Sequence, residues 1–276
     1  MNRVLGIRRH PLKSAAAEPV TAAFVGKHGL DGDRTWTCLD ADGTIGSAKQ
    51  PRLWGRLLDV RAEYVPAQGE AGDVHIVVPD QAPALAGSPE ADAAVSAWLG
   101  RPVSLTRTAP PQLRRHHWWP DEPGMIPEWA ADAEPGGDAV VNVRSSAGDG
   151  RFFDFGALHL VTTGALDRLS AEHGTEVDPA CFRPNLILDL PEDPSPGQRI
   201  AIGADLVVQV SVPTPRCVIP SLAHGPAPAD RGLLQTLARH HRLDVPGFGR
   251  ATCFGFYADI LAVGTVTTGD QVAVTA

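Results

Sequence analysis

The stretch "ATCFGFYADILAVGTVTTGDQVAVTA", Ala251–Ala276, closes the chain with apolar, β-branched and aromatic runs broken at Gly264 and Gly269. Such runs fit a pleated, half-buried surface, and the glycines supply the turns between them. The stretch therefore predicts strands with glycine turns. The same grammar recurs upstream. Residues 1–12 read as a strand, and "VTAAFVGKHGLDGD" as a strand followed by a glycine turn. "RTWTCLDADGTIGSAKQPRL" alternates and reverses at Asp42-Gly43, a hairpin signal. "LLDVRAEYV", "DVHIVVPD", "RPVSLTRTA", "FRPNLILDL" and "RIAIGADLVVQVSVP" complete the set of strands. The 25 Pro and 28 Gly punctuate the chain at the short intervals of a β-rich protein.

Helical spacing is confined to a few segments. "PEADAAVSAWLG" places Ala93, Ala94, Ala97 and Trp98 on one side. "ALHLVTTGALDRLSAEHG" reads as a strand running into a helix with an N-cap near Thr162–Thr163. "RGLLQTLARHHRL" is a helix whose basic end suits the helix dipole. Residues 109–150 are rich in Pro, Gly, Asp and Glu and read as a long loop containing the basic, aromatic "RRHHWWP". Trp118 and Trp119 in it are expected at the rim of a pocket.

The bulk numbers narrow the function. An apolar content of 43% over 276 residues supports a sizeable core. A net charge of −8 argues against general nucleic-acid or anionic-membrane binding. A site for an anion must then be built locally from converging Arg and Lys. No run approaches the roughly 20 apolar residues of a membrane helix, and no signal peptide is expected from the opening residues. A soluble, cytoplasmic protein is expected. Cys38, Cys181, Cys217 and Cys253 stand far apart with no CxxC pair, so free thiols are expected and a zinc or iron–sulfur site is not.

Chemistry concentrates in four short motifs. In "VPTPRCVIP", Cys217 follows Arg216 on a proline-rich backbone. A cation favours a thiolate, although strand neighbours point to opposite faces. Pro215 cannot donate to a ladder and places the segment at an edge or in a loop. "HPLKS" offers Lys13 and Ser14 after a strand, donors suited to a phosphate. "GLDGDRTW" brings Arg34 into a strand, where its fork reaches an oxyanion or stacks on Trp36. "FRPNLILDL" holds Arg183 and Asn185 on either side of Pro184, suited to a heterocycle edge or a phosphate, or to a capped surface turn.

Taken in order, "HPLKS", "GLDGDRTW…DADGTIGSAKQPRL", "FRPNLILD", "PRC" and "FGFYADILAVGTVTTGDQV" resemble the molybdenum-cofactor sulfurase C-terminal (MOSC) family. The first hundred residues resemble its associated N-terminal β-barrel domain, and the chain is similar to the mitochondrial amidoxime-reducing component and its bacterial counterparts. The resemblance implies a mainly-β (α+β) fold, an N-terminal β-barrel domain over 1–108 packed on a MOSC β-barrel over 151–276, with a loop-rich connection at 109–150 and a few peripheral helices. It implies the molybdenum cofactor (Mo-molybdopterin), with Cys217 as metal ligand and catalytic residue. Lys13, Ser14 and Arg34 would meet its phosphate and pterin, Arg183 and Asn185 would lie along the pterin, Asp154 would be nearby, and Arg216 would add charge.

The implied activity is reduction of N-oxygenated, N-hydroxylated small molecules, with a separate electron-transfer protein as partner. The alternative is a sulfur carrier or sulfurtransferase using a Cys217 persulfide fed by a pyridoxal-phosphate-dependent cysteine desulfurase. A binding barrel without catalysis, or a cysteine hydrolase using His159 or His224 as base, is a third reading. Two positions depart from the pattern: Pro215 replaces a small polar residue, and Phe155-Gly156 replaces a Thr- or Ser-bearing pair.

Overall fold

The computed structural model describes residues 2–65, 72–110, 112–142, 151–225 and 227–276. Its central sheet runs in the order Val272–Thr275, Arg199–Ile202, Leu206–Pro215, Gly249–Ala262, His159–Thr162, Leu186–Leu188, Val4–Arg9, Glu18–Val20. Arg242–Val245 pairs alongside Gly249–Ala262. Neighbours are antiparallel except His159–Thr162 and Leu186–Leu188, which are parallel and joined through the helix Thr163–His173. A parallel pair needs such a crossover. The sheet curls on itself: Val4 N donates to Asp270 O, Gly269 N to Val4 O and Val272 N to Asn2 O, so the start of Val4–Arg9 meets the edge strand Val272–Thr275. The alternate residues of these strands fill the interior with Val4, Ile7, Leu160, Leu186, Val208, Val210 and Phe256. The protein is mainly β with few helices.

The first strand, Val4–Arg9, belongs to this C-terminal barrel. The chain then crosses at residues 10–15 into a second, smaller core built on Leu12, Cys38, Trp54, Leu57, Val74, Ile76 and Val95. Its strands are Thr37–Leu39 with Ser104–Thr106, and Arg61–Val65, Asp73–Val77 and Ala84–Leu85 in order. The turn expected at Asp42-Gly43 is present: Asp40 N donates to Thr44 O, and Gly43 takes φ +80°. Its return arm makes isolated bridges from Ile45 to Leu39 and to Arg115, and Thr37–Leu39 takes its full partner from Ser104–Thr106.

Three expectations are corrected. The helix Pro89–Leu99 buries Ala91 and Val95, with Ala94 and Trp98 partly buried, and leaves Ala93 and Ala97 exposed. The larger Val95 draws its own i, i+4 row inward. Trp98 lies across the rim of that row, with its indole N–H on Arg56 O and the Arg56 guanidinium 3.7 Å over its ring. Within 109–150, Arg114–Trp118 and Asp138–Asn142 form an antiparallel pair, and residues 143–150 lie outside the described residues. Alternation is present there but disguised, because the inward-facing residues are Arg115 and His117 rather than hydrophobics. Trp118 and Trp119 are tied into this hairpin's own packing, Trp118 through its N–H to Gly136 O and Trp119 edge-on to His117 at 4.2 Å.

Among the described residues no helix is long and apolar enough to cross a membrane.

Candidate functional site

The strand Leu206–Pro215 is paired on both sides only up to Gln209; beyond it Gly249–Ala262 is its remaining neighbour. The prolines Pro213 and Pro215 fall in this edge half, where a missing N–H costs no ladder bond. The register shifts between Pro213 and Pro215, and the strand ends there. Arg216 and Cys217 thus lie past the strand. The alternation that would have sent them to opposite faces no longer applies, and both line one cleft.

All eight residues singled out in the sequence line that cleft: Lys13, Ser14, Arg34, Asp154, Arg183, Asn185, Arg216 and Cys217. It opens between the two cores. Lys49, Phe153, Gly156, His159, Phe182, Thr214, Pro215, Ile219 and Tyr257 complete the wall. Ser14, Arg34 and Arg183 have φ of 65°, 51° and 55°, and Asp80 is the only other non-glycine residue with positive φ among those described. Left-handed backbone costs about 1 kcal/mol or more per L-residue, and clusters of it mark sites where side-chain direction is over-determined by the surroundings.

The cationic groups are individually anchored. Lys13 Nζ donates to Phe152 O at 2.9 Å and pairs with Asp154 Oδ1 at 2.7 Å. Lys49 Nζ stands 3.1 Å from the other Asp154 oxygen, and Arg115 Nη1 3.1 Å from Oδ1. Burial pushes the Asp154 carboxyl up, yet these three cations hold it well below the usual carboxylate range. Arg34 pairs with Asp33, a fully buried carboxylate that also accepts from His10 N at 2.6 Å and Asn185 Nδ2 at 3.0 Å. Arg183 donates to Ala15 O, and burial with the nearby Arg34 pushes it down to about 9. Arg216 Nη2 donates to Phe182 O at 3.0 Å, and its Nη1 lies 3.4 Å from His159 Nε2. Burial, then Arg216 and Arg34, keep His159 neutral, so its Nε2 can accept from Arg216.

Asn185 is committed internally. Its Oδ1 accepts from His159 N and its Nδ2 donates to Asp33 and Arg8 O, joining three neighbouring segments at the cleft floor. Ser14 Oγ accepts from Ala48 N, which leaves its O–H free to donate. His224 turns its ring to Ile219 O and does not line the cleft. His159 lines it as a neutral partner of Arg216. Among the described residues no hydrogen bond joins Cys217 to either ring, although His159 shares its cleft.

Cys217 differs from the other thiols. Cys38, Cys181 and Cys253 are buried, and burial pushes Cys181 to about 11 and Cys253 to about 12, with Cys38 raised as well. Cys217 is partly exposed, packs one side on Ala48, Leu58 and Ile219, and has Arg183 and Arg216 within electrostatic reach. Among the described residues no three His, Cys, Asp or Glu side chains converge as a metal cage.

Sequence reasoning passed over Lys49, Arg115, Asp33 and Tyr257. Lys49 sits in the quoted "GSAKQPRL", but its convergence on Asp154 spans more than a hundred residues and is invisible locally. Arg115 hid in "RRHHWWP", whose aromatic character drew the reading toward a pocket cover.

Lys13 provides a pH test. Burial pushes its ammonium down to about 8, against the pull of Asp154. Between about pH 8 and the unfolded value of 10.5, the unfolded chain holds a proton that the native protein has released. Native stability from this group therefore rises with pH across that window, by about 3 kcal/mol. The raised thiols and Tyr257 act in the opposite sense. The expected result is thus a difference: denaturant titrations at pH 7.5 and 10 give wild type a gain over Lys13→Met.

The chain matches two family models, the MOSC N-terminal beta barrel domain over residues 1–100 and the MOSC domain over residues 147–273. The chain belongs to the MOSC family and carries both of its domains. Among solved structures it is similar to the YUAD protein from Bacillus subtilis, at 11% identity over 99% of this chain and 96% of that one, with a TM-score of 0.47. It is also similar to YiiM from Geobacillus stearothermophilus, at 21% identity over 44% of this chain and 55% of that one, with a TM-score of 0.30. No curated protein matches the chain. MOSC domains are associated with molybdenum-cofactor-sulfurase-like and molybdenum-binding proteins, many of them enzymes.

Proposed function

We propose that the cleft holds the molybdenum cofactor and that the protein is an oxidoreductase reducing N-oxygenated, especially N-hydroxylated, small molecules. One observation carries the reading. The only partly exposed thiol among the described residues shares a cleft with Lys13, Arg34, Lys49, Arg183 and Arg216, drawn from distant parts of an acidic chain. The polar groups left without partners point the same way: Arg216 Nε and Thr214 Oγ1, both on cleft residues, are buried and unbonded. Buried donors of this kind call for an acceptor-rich ligand.

In this reading Cys217 ligates molybdenum as a soft thiolate. Lys13, Ser14 and Arg34 hold the phosphate end, and Arg183 and Arg216 flank the pterin with Asp154 fixing the lysines behind it. Asn185 acts through the floor it ties together. When bound, the cofactor supplies the two-electron, oxygen-accepting chemistry. Overall, the N–O bond is broken with two electrons and two protons, releasing water, and a separate electron-transfer protein provides the electrons. Protein produced with molybdate is expected to oxidise reduced viologen when given an N-hydroxy amide, and protein produced with tungstate is not. Molybdenum-replete protein that leaves the viologen reduced overturns the proposal.

A second reading is favoured by Asn185 and Asp154, whose polar groups are already engaged by protein partners, and by Pro215, which has no N–H to offer. In it the Cys217 thiolate attacks a desulfurase persulfide, takes the outer sulfur and releases the donor cysteine as thiolate. A mass gain of one sulfur on the Cys217 peptide, after incubation with a pyridoxal-phosphate-dependent desulfurase and cysteine, distinguishes it.

A further inference from the structure

A line of aromatic rings leads out of the cleft. Tyr257, on the cleft wall, lies 5.5 Å from Phe155; Phe155 lies 4.9 Å from Phe248, and Phe248 5.9 Å from Trp129. The last two contacts are edge-to-face at 88°. Such pairs use the face of one ring and the edge of the other, which leaves ring faces open. Trp129 is 53% exposed and Phe155 40%, so these faces meet solvent.

The backbone fixes the arrangement. Gly156 lets the Tyr257 ring press against the chain, since a Cβ there would stand 2.5 Å from it. Glu128 accepts from Arg250 N and thereby clamps the 3-10 turn Glu128–Ala130, which carries Trp129, to the turn that carries Phe248. Phe248 rests on Val245, Ala251 and Cys253, and Trp129 meets the buried Trp119 edge-on at 5.6 Å, so these rings are seated from beneath while Trp129 and Phe155 keep an exposed side next to the charged cleft.

We propose that Trp129, Phe248 and Phe155 form a platform for a flat aromatic ring of the substrate, whose polar head enters the cleft past Tyr257. The patch is continuous with the cleft through Tyr257, which selects a small molecule spanning both over a separate partner. The ligand class is an aryl compound bearing an N-oxygenated head. This inference rests on the reading of the cleft as the reaction site.

The test compares benzohydroxamate with cyclohexanecarbohydroxamate, which share a head and differ in a flat against a puckered ring. Calorimetric titration of the protein as purified is expected to show the flat ring bound about tenfold tighter, the scale of one good ring–ring contact. Phe155→Leu and Trp129→Leu keep apolar bulk and are each expected to bring that ratio below about threefold. Equal affinities in wild type, no measurable binding of either, or an unchanged ratio in both variants overturns the platform. The two proposals fail separately. A ring preference without viologen oxidation in molybdenum-replete protein removes the reductase and keeps the platform. Viologen oxidation without a ring preference does the reverse.

Discussion

Replacing Cys217 with serine is expected to lower reduction of an N-hydroxy substrate by more than about a hundredfold, because outer-shell changes alone cost metal sites 10–100-fold. The hydroxyl is a hard, weakly acidic replacement for a soft anion. Stability is expected to stay within about 1 kcal/mol, since the side chain is partly exposed and packs on only one side against Ala48, Leu58 and Ile219. Cys38→Ser is the contrast. Its sulfur is fully buried among Leu12, Trp54 and Leu57, and burying a hydroxyl there costs stability while leaving the cleft intact. Viologen-coupled kinetics and denaturant unfolding of the two variants separate the roles. Equal activity losses in both would contradict the assignment of Cys217.

Asp154→Asn is expected to produce the largest loss of stability, about 3 kcal/mol, because it strips the counter-charge from Lys13, Lys49 and Arg115, all largely buried. For a chain of this size that is a fall in Tm of roughly 6 °C. The native carboxyl is held well below its unfolded value, so its contribution is present above about pH 4 and is lost as pH falls through the native value. The gap between wild type and variant is therefore full at pH 7 and narrows toward pH 3. The three freed cations seek another anion. Inorganic pyrophosphate is expected to raise the Tm of Asp154→Asn more than that of wild type. A variant as stable as wild type at pH 7 would show that the lysines and arginine do not depend on this carboxylate.

Much of the site was legible because its residues sit at punctuated places. Lys13-Ser14, Arg34, Arg183 and Cys217 all follow a turn, a proline or a strand end, where the backbone departs from regular structure and side chains can converge. The strands announced themselves by β-branched runs between glycines, and the Thr162 N-cap by its hydroxyl, which accepts from Ala165 N. The hairpin at 114–142 was illegible because Arg115 and His117 occupy its inward face, and a polar inward face carries no hydrophobic alternation. The helix Pro89–Leu99 was found but rotated, because an alanine-rich segment offers several equivalent faces and Val95 alone breaks the tie. Asp33 and Lys49 were missed for a different reason. Lys49 meets Asp154 and Asp33 meets Asn185 across more than a hundred residues, and closure of the barrel, not local spacing, brings these pairs together.

The most direct test is the molybdenum content of protein purified from a cofactor-competent host. Wild type is expected to carry molybdenum and pterin in near-stoichiometric amounts, and Cys217→Ser, folded to the same stability, is expected to lose the metal. Wild-type protein free of both, or a serine variant that keeps its full complement, would contradict the assignment of Cys217 as the protein's hold on the metal.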